Sequence, residues 1–178
     1  MSDRFVSARA GLTAGARVLA IAGGLVLSAG ALFSVAAILA DQLGSPILGD
    51  TEMVEFAAAA AVASFLPWCQ LNDGHVRIVI FTQALPEPVL RGLDAIGKVL
   101  FAVVVSVLAW RLAVGGIDAF ERTRMTMFLR LPLWWGYAIA AVPMAFWVVV
   151  SWFLAVEAIV RGAPDNTRPT EGFEEVGP

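Results

Sequence analysis

Four apolar stretches divide the chain. Val18 to Ala40 runs for 23 residues without a charge. Met53 to Leu71 follows, with Glu55 near its start and Pro67 near its end. Val99 to Ile117 carries one charge, Arg111, and Pro132 to Val156 carries none over 25 residues. A helix rises about 1.5 Å per residue and the hydrocarbon core is about 30 Å thick, so roughly 20 apolar residues suffice to span it. Each stretch meets or approaches that length. The first is too long for the apolar core of a cleaved signal, about 7 to 15 residues, and reads as a retained span. Pro67 is expected to kink or end the second helix. Trp134, Trp135 and Tyr137 lead into the fourth span and suit an interfacial aromatic belt.

Between the second and third spans, Glu87, Arg91, Asp94 and Lys98 recur at helical spacing, with Val89, Leu90, Leu93, Ile96 and Gly97 on the other face. This pattern predicts an amphipathic helix in the interface over about 76–98; the competing reading is a plain extension of the third span. Residues 1–17 form a polar N-terminal arm and 18–160 the membrane domain. Residues 161–178 form a Pro-rich acidic tail expected to be disordered.

Lysine and arginine favour the cytoplasmic side. Arg4, Arg9 and Arg17 precede the first span, Arg77, Arg91 and Lys98 lie between the second and third, and Arg161 and Arg168 follow the fourth, whereas residues 41–52 have none. Both termini are therefore expected in the cytoplasm. Arg122, Arg124 and Arg130 defy the bias, since the connection between the third and fourth spans would face outward.

Composition agrees. The chain has 178 residues, is 59% hydrophobic and 15% charged, with a mean hydropathy of +0.79. Soluble domains are about 45–50% apolar and about 25% charged, so the expected class is an all-α polytopic membrane protein. Twelve basic and 15 acidic residues give a net charge of −3 without the basic face that nucleic acid requires. The single cysteine, Cys69, and single histidine, His75, supply no disulfide and no zinc spacing.

Coupled transporters place titratable groups within their spans. Here Glu55 and Glu157 fall at helix ends and Arg111 stands alone, and no pair of broken segments suggests a midplane substrate site. No catalytic, substrate-binding or metal residues are expected, and the chain is not read as an enzyme. Small residues are plentiful instead. Gly24 and Ser28, then Gly30 and Ser34, stand four apart, and Ala57 to Ala61 with Ala63 make the second helix nearly smooth. Such faces allow the close contact that holds helices together in lipid.

Several stretches, in order, resemble one family. Glu55 lies at the head of the second helix; LPWCQL (with Pro67, Trp68 and Gln70) closes it; GHVRIVI begins with Gly74 and His75; and TMFLRLPLWWGY contains Thr126, Pro132, Trp134 and Tyr137. Over about residues 49–152 this is similar to the small membrane (DctQ-type) subunit of tripartite ATP-independent periplasmic (TRAP) transporters. The resemblance implies a multi-pass protein of the bacterial inner membrane that carries no substrate and needs no cofactor. It further implies a large membrane subunit (DctM-type) that moves a carboxylate on a sodium gradient, and a periplasmic binding protein (DctP-type) that delivers it. The partners expected are those two proteins and membrane lipid, without nucleic acid.

Two functional readings follow. In the first, the chain is a scaffold: Arg111 and the small residues Gly24, Ser28, Gly30 and Ser34 pack on the large subunit, while Arg122, Arg124 and Arg130 meet the binding protein. In the second, it is a self-sufficient four-helix transporter working as a homodimer, which needs a membrane-embedded carboxylate that the first span lacks.

Overall fold

The computed structural model describes residues 2–72 and 87–161, and each expected span lies on one long helix, except that the fourth helix begins at Trp134 and leaves Pro132 and Leu133 in the preceding loop. The helices are α1 (Ser2–Gln42), α2 (Asp50–Leu71), α3 (Glu87–Glu121) and α4 (Trp134–Arg161). All four are long and apolar enough to cross a membrane. At about 1.5 Å per residue, the 41 residues of α1 extend roughly 62 Å and the 35 of α3 roughly 52 Å, well beyond the bilayer core of about 30 Å.

That excess length belongs to segments expected to stand apart. The N-terminal arm is helical from Ser2 and continues unbroken into the first span. The amphipathic segment, over 87–98, forms the first turns of α3, with Asp94 and Lys98 paired at 2.8 Å along one face. A helix already carrying its i→i−4 ladder continues through polar positions at little cost when an i,i+4 ion pair supports it. Residues 76–86 of that segment, the Gly74–Ile80 motif and the tail beyond 161 lie outside the described residues. The helix does not end at Pro67 either: α2 runs through it to Leu71, and Pro67 is buried.

The helices pack in the order α1, α2, α4, α3, with α1 touching α4 only slightly. Two end-to-end relations set their directions. Gly23 faces Ser64 and Gly30 faces Ala57, so α1 and α2 are antiparallel. Glu52 reaches the loop before α4 while Gln70 meets Ser151, so α2 and α4 are parallel. The Ser2 end of α1 and the Arg161 end of α4 therefore share one end of the row, here the terminal end. There Arg9 pairs with Glu157 at 3.4 Å and Phe5 meets Phe153 at a tilt of 44°. The connections 43–49 and 122–133 occupy the opposite, hairpin end.

The alanines of α2 explain the α1 contact. A Cβ on Gly23 would lie 2.8 Å from the Ser64 Cβ and 3.2 Å from the Ala61 carbonyl, and one on Gly30 would lie 3.0 Å from the Ala57 Cβ. Ala16 and Ala37 are buried too, so the small residues facing inward recur every seven, at 16, 23, 30 and 37. Close approach of this kind supplies the dispersion contacts that replace the hydrophobic effect between helices in lipid. At the terminal end Ala16, Leu71 and Val150 form a buried cluster with Leu12, Trp68, Phe146 and Leu154 around it.

Two polar pairs join helices toward the terminal end. The Ser106 hydroxyl donates to the Ala102 carbonyl at 2.7 Å and accepts the Trp152 indole N–H at 3.0 Å, tying α3 to α4. Ser151 Oγ lies 2.8 Å from both Gln70 Oε1 and the Trp147 carbonyl. With one proton to give, Ser151 satisfies this geometry when the Gln70 amide is turned to donate to it.

Candidate functional site

The hairpin end has the most specific construction. α3 stops at Glu121, and Thr123 adopts a left-handed conformation with φ 49°. This turn lets the Arg124 N–H reach back to the Ala119 carbonyl at 3.0 Å, the closing bond of a Schellman-type cap. The chain then doubles back. The Leu133 N–H donates to the Arg124 carbonyl, the Thr126 N–H to the Leu131 carbonyl, and Met125 bridges Pro132. The Leu131 N–H closes on Thr126 Oγ1 at 3.0 Å. Arg130, with φ 51°, provides the second left-handed residue that turns the tip.

Glu52 fastens this hairpin. It sits in the first turn of α2 and is 8% exposed. Its Oε1 accepts the Phe128 N–H at 2.7 Å and its Oε2 the Leu129 N–H at 3.0 Å. The Thr126 hydroxyl and the Met127 N–H turn toward the same carboxylate. Hydrogen bonds to an ionised acceptor are stronger than neutral ones, and the N-terminus of α2 adds a favourable dipole. Beside it the Leu129 side chain lies over Gly49, where an added Cβ would come within 2.5 Å of Leu129 Cγ. Gly49 also has φ 87°, so glycine is required there for both backbone and space.

The fastened tip projects apolar and basic side chains. Met127 is 87% exposed, and Met125, Phe128 and Arg130 are exposed beside it. Arg122 and Arg124 both pair with Asp118 of α3, Arg124 at 3.3 Å, so one acid offsets two of the three arginines. Below the tip Trp134 meets Phe120 and Trp135 edge-on, at 5.7 and 6.1 Å between ring centroids. Tyr137 packs on Gly115 and Gly116 of α3.

The residues singled out in the sequence are thus scattered over the row. Thr126 and Pro132 build the hairpin, Trp134 and Tyr137 join α3 to α4, and Pro67, Trp68 and Gln70 lie at the terminal end of α2. Gly74 and His75 lie outside the described residues. Glu55 is exposed in the second turn of α2, and Arg111 is exposed on α3. Of the four small residues on α1, Gly30 faces α2 and Ser34 is half-buried. Gly24 has open space at its Cβ, and exposed Ser28 donates to the Gly24 carbonyl at 2.8 Å.

Glu52 is the residue that sequence reasoning missed. An acid in a first turn reads as a complement to the helix dipole, and only its short distance from Gly49 hinted at a buried helix start. Among the described residues no group of histidines, cysteines and acids could hold a metal ion. An apolar groove of about 370 Å³ between α3 and α4, bordered by Phe120, Trp134 and Tyr137, opens on the surface.

The family described as "Tripartite ATP-independent periplasmic transporters, DctQ component" matches residues 30–164. No curated protein and no solved structure matches the chain.

Proposed function

The chain belongs to the DctQ family, the small membrane component of tripartite ATP-independent periplasmic transporters, and on that premise we propose that it scaffolds the large membrane subunit. In this reading it also helps to dock the periplasmic binding protein during sodium-driven uptake of a carboxylate. It lies in the bacterial inner membrane with its terminal end in the cytoplasm and its hairpin end in the periplasm. Sodium and substrate are handled by the large subunit.

The observation that carries this reading is the open row of helices. α2 and α4 sit in its middle, and α1 and α3 present most of their apolar length outward. The interhelical polar pairs, Gln70 with Ser151 and Ser106 with Trp152, join neutral side chains, which do not take or release a coupling ion. Such an arrangement suits a brace better than a carrier. The docking role draws support from the hairpin, whose exposed tip is held by Glu52 and carries Arg130.

Proteoliposomes separate this from autonomous transport. Vesicles holding the chain alone are expected to show no sodium-coupled uptake of dicarboxylates or sugar acids, while vesicles holding it with its co-purified membrane partner and binding protein accumulate substrate. Robust coupled flux through the chain alone would overturn the proposal.

A further inference from the structure

Arg111 is a charge within an apolar span that the fold leaves unexplained. It is exposed on α3, and among the described residues no carboxylate forms an ion pair with it. Val107, Leu108 and Val114, one turn to either side, are apolar and exposed.

Its depth follows from α3 itself. The Asp94–Lys98 pair marks one polar boundary of the helix. The contact of Phe120 with Trp134 marks the aromatic boundary at the other. From Lys98 to Phe120 is roughly 33 Å at the helical rise, close to the thickness of the hydrocarbon core. Arg111 stands roughly 20 Å from Lys98 and roughly 14 Å from Phe120 along the axis. It is therefore near the middle of the bilayer. Helical side chains lean toward the N-terminus of their helix, which here points Arg111 away from the nearer boundary and along the longer path. An extended arginine covers only a fraction of that path, so snorkelling to headgroups does not resolve its charge.

A second copy of this chain is poorly suited to neutralise it, because Glu52, Glu55, Asp94 and Glu157 all lie toward the two ends of their helices. We propose that Arg111 marks the face of α3 that docks the large membrane subunit, and that it pairs there with an aspartate or glutamate on a transmembrane helix of that subunit near mid-bilayer. The inference rests on the small-subunit reading above and adds to it a face, a depth and a charge.

The test uses the assembled complex purified from native membranes. A photo-crosslinking residue at Val107 or Val114, with Arg111 intact, is expected to capture the large subunit on one helix. That helix should carry an acid at the matching depth. Arg111→Glu is expected to lower the recovered partner at least tenfold, Arg111→Lys to retain most of it, and an acid-to-lysine change on the captured helix to restore recovery with Arg111→Glu. Three outcomes overturn the pairing: crosslinks only to lipid or within this chain, capture of a helix with no acid at that depth, or full recovery of the partner with Arg111→Glu. If the wild-type chain brings down no larger membrane protein, the small-subunit reading itself falls and the pairing falls with it.

Discussion

The carboxylate of Glu52 accepts the backbone N–H groups of both Phe128 and Leu129, joining the start of α2 to a hairpin 76 and 77 residues further along the chain. This one side chain fixes the height and angle at which the hairpin tip leaves the helices. Replacing it with alanine leaves two donors without their acceptor and frees the hairpin tip from α2. Hydrogen exchange in nanodiscs should show faster exchange across 126–131 in Glu52→Ala, with α2 and α4 protected as before. Glu52→Gln, with one acceptor oxygen left, should fall between.

The α1–α2 contact predicts a contrast between adjacent glycines. Gly23→Val drives a side chain into Ser64 and the Ala61 carbonyl, and overpacking of this kind costs about 1–3 kcal/mol. Gly24→Val enters open space and should leave stability nearly unchanged. Thermal unfolding of the two variants in detergent distinguishes them.

How much of this was legible in the sequence depends on the range of the interaction. The four spans follow from length and apolar content, because the bilayer demands both. Which face of α1 packs is another matter. Small residues four apart, Gly24 with Ser28 and Gly30 with Ser34, pointed to a face, but the inward stripe runs by sevens through Ala16, Gly23, Gly30 and Ala37. Gly23 and Gly24 are chemically identical, and only the partner helix decides between them. The hairpin was unreadable for a related reason. Its tip lacks the alternation of a strand pair and is held by Glu52 from another helix, so no local pattern announces it. Glu55 drew attention as the acid of a recognisable motif, yet Glu52, one turn earlier, makes the contact.

The buried Gln70–Ser151 pair should respond asymmetrically. In Gln70→Leu, Ser151 still donates to the Trp147 carbonyl, so little polar capacity is lost. In Ser151→Ala the Gln70 amide stays buried without that partner. Interhelical bonds in membranes average about 0.6 kcal/mol, whereas an unsatisfied buried polar group costs about 1–3 kcal/mol. Ser151→Ala is thus expected to be the more destabilising; denaturation in mixed micelles measures the order.

Charge reversal at the hairpin end should also be graded. Asp118 already offsets Arg122 and Arg124, while Arg130 has no ion pair among the described residues. With binding protein limiting, Arg130→Glu is expected to slow uptake more than Arg122→Glu or Arg124→Glu, and low ionic strength should widen the difference. Uptake unchanged from the wild type in all three variants would remove the docking role.

The most direct test of the central claim, that this chain acts as the brace of a larger transporter, is quantitative co-purification from native membranes after mild solubilisation. A large polytopic membrane subunit recovered in equal amount with the tagged chain is the predicted result. Recovery of the chain alone, as a stable homodimer, would contradict it.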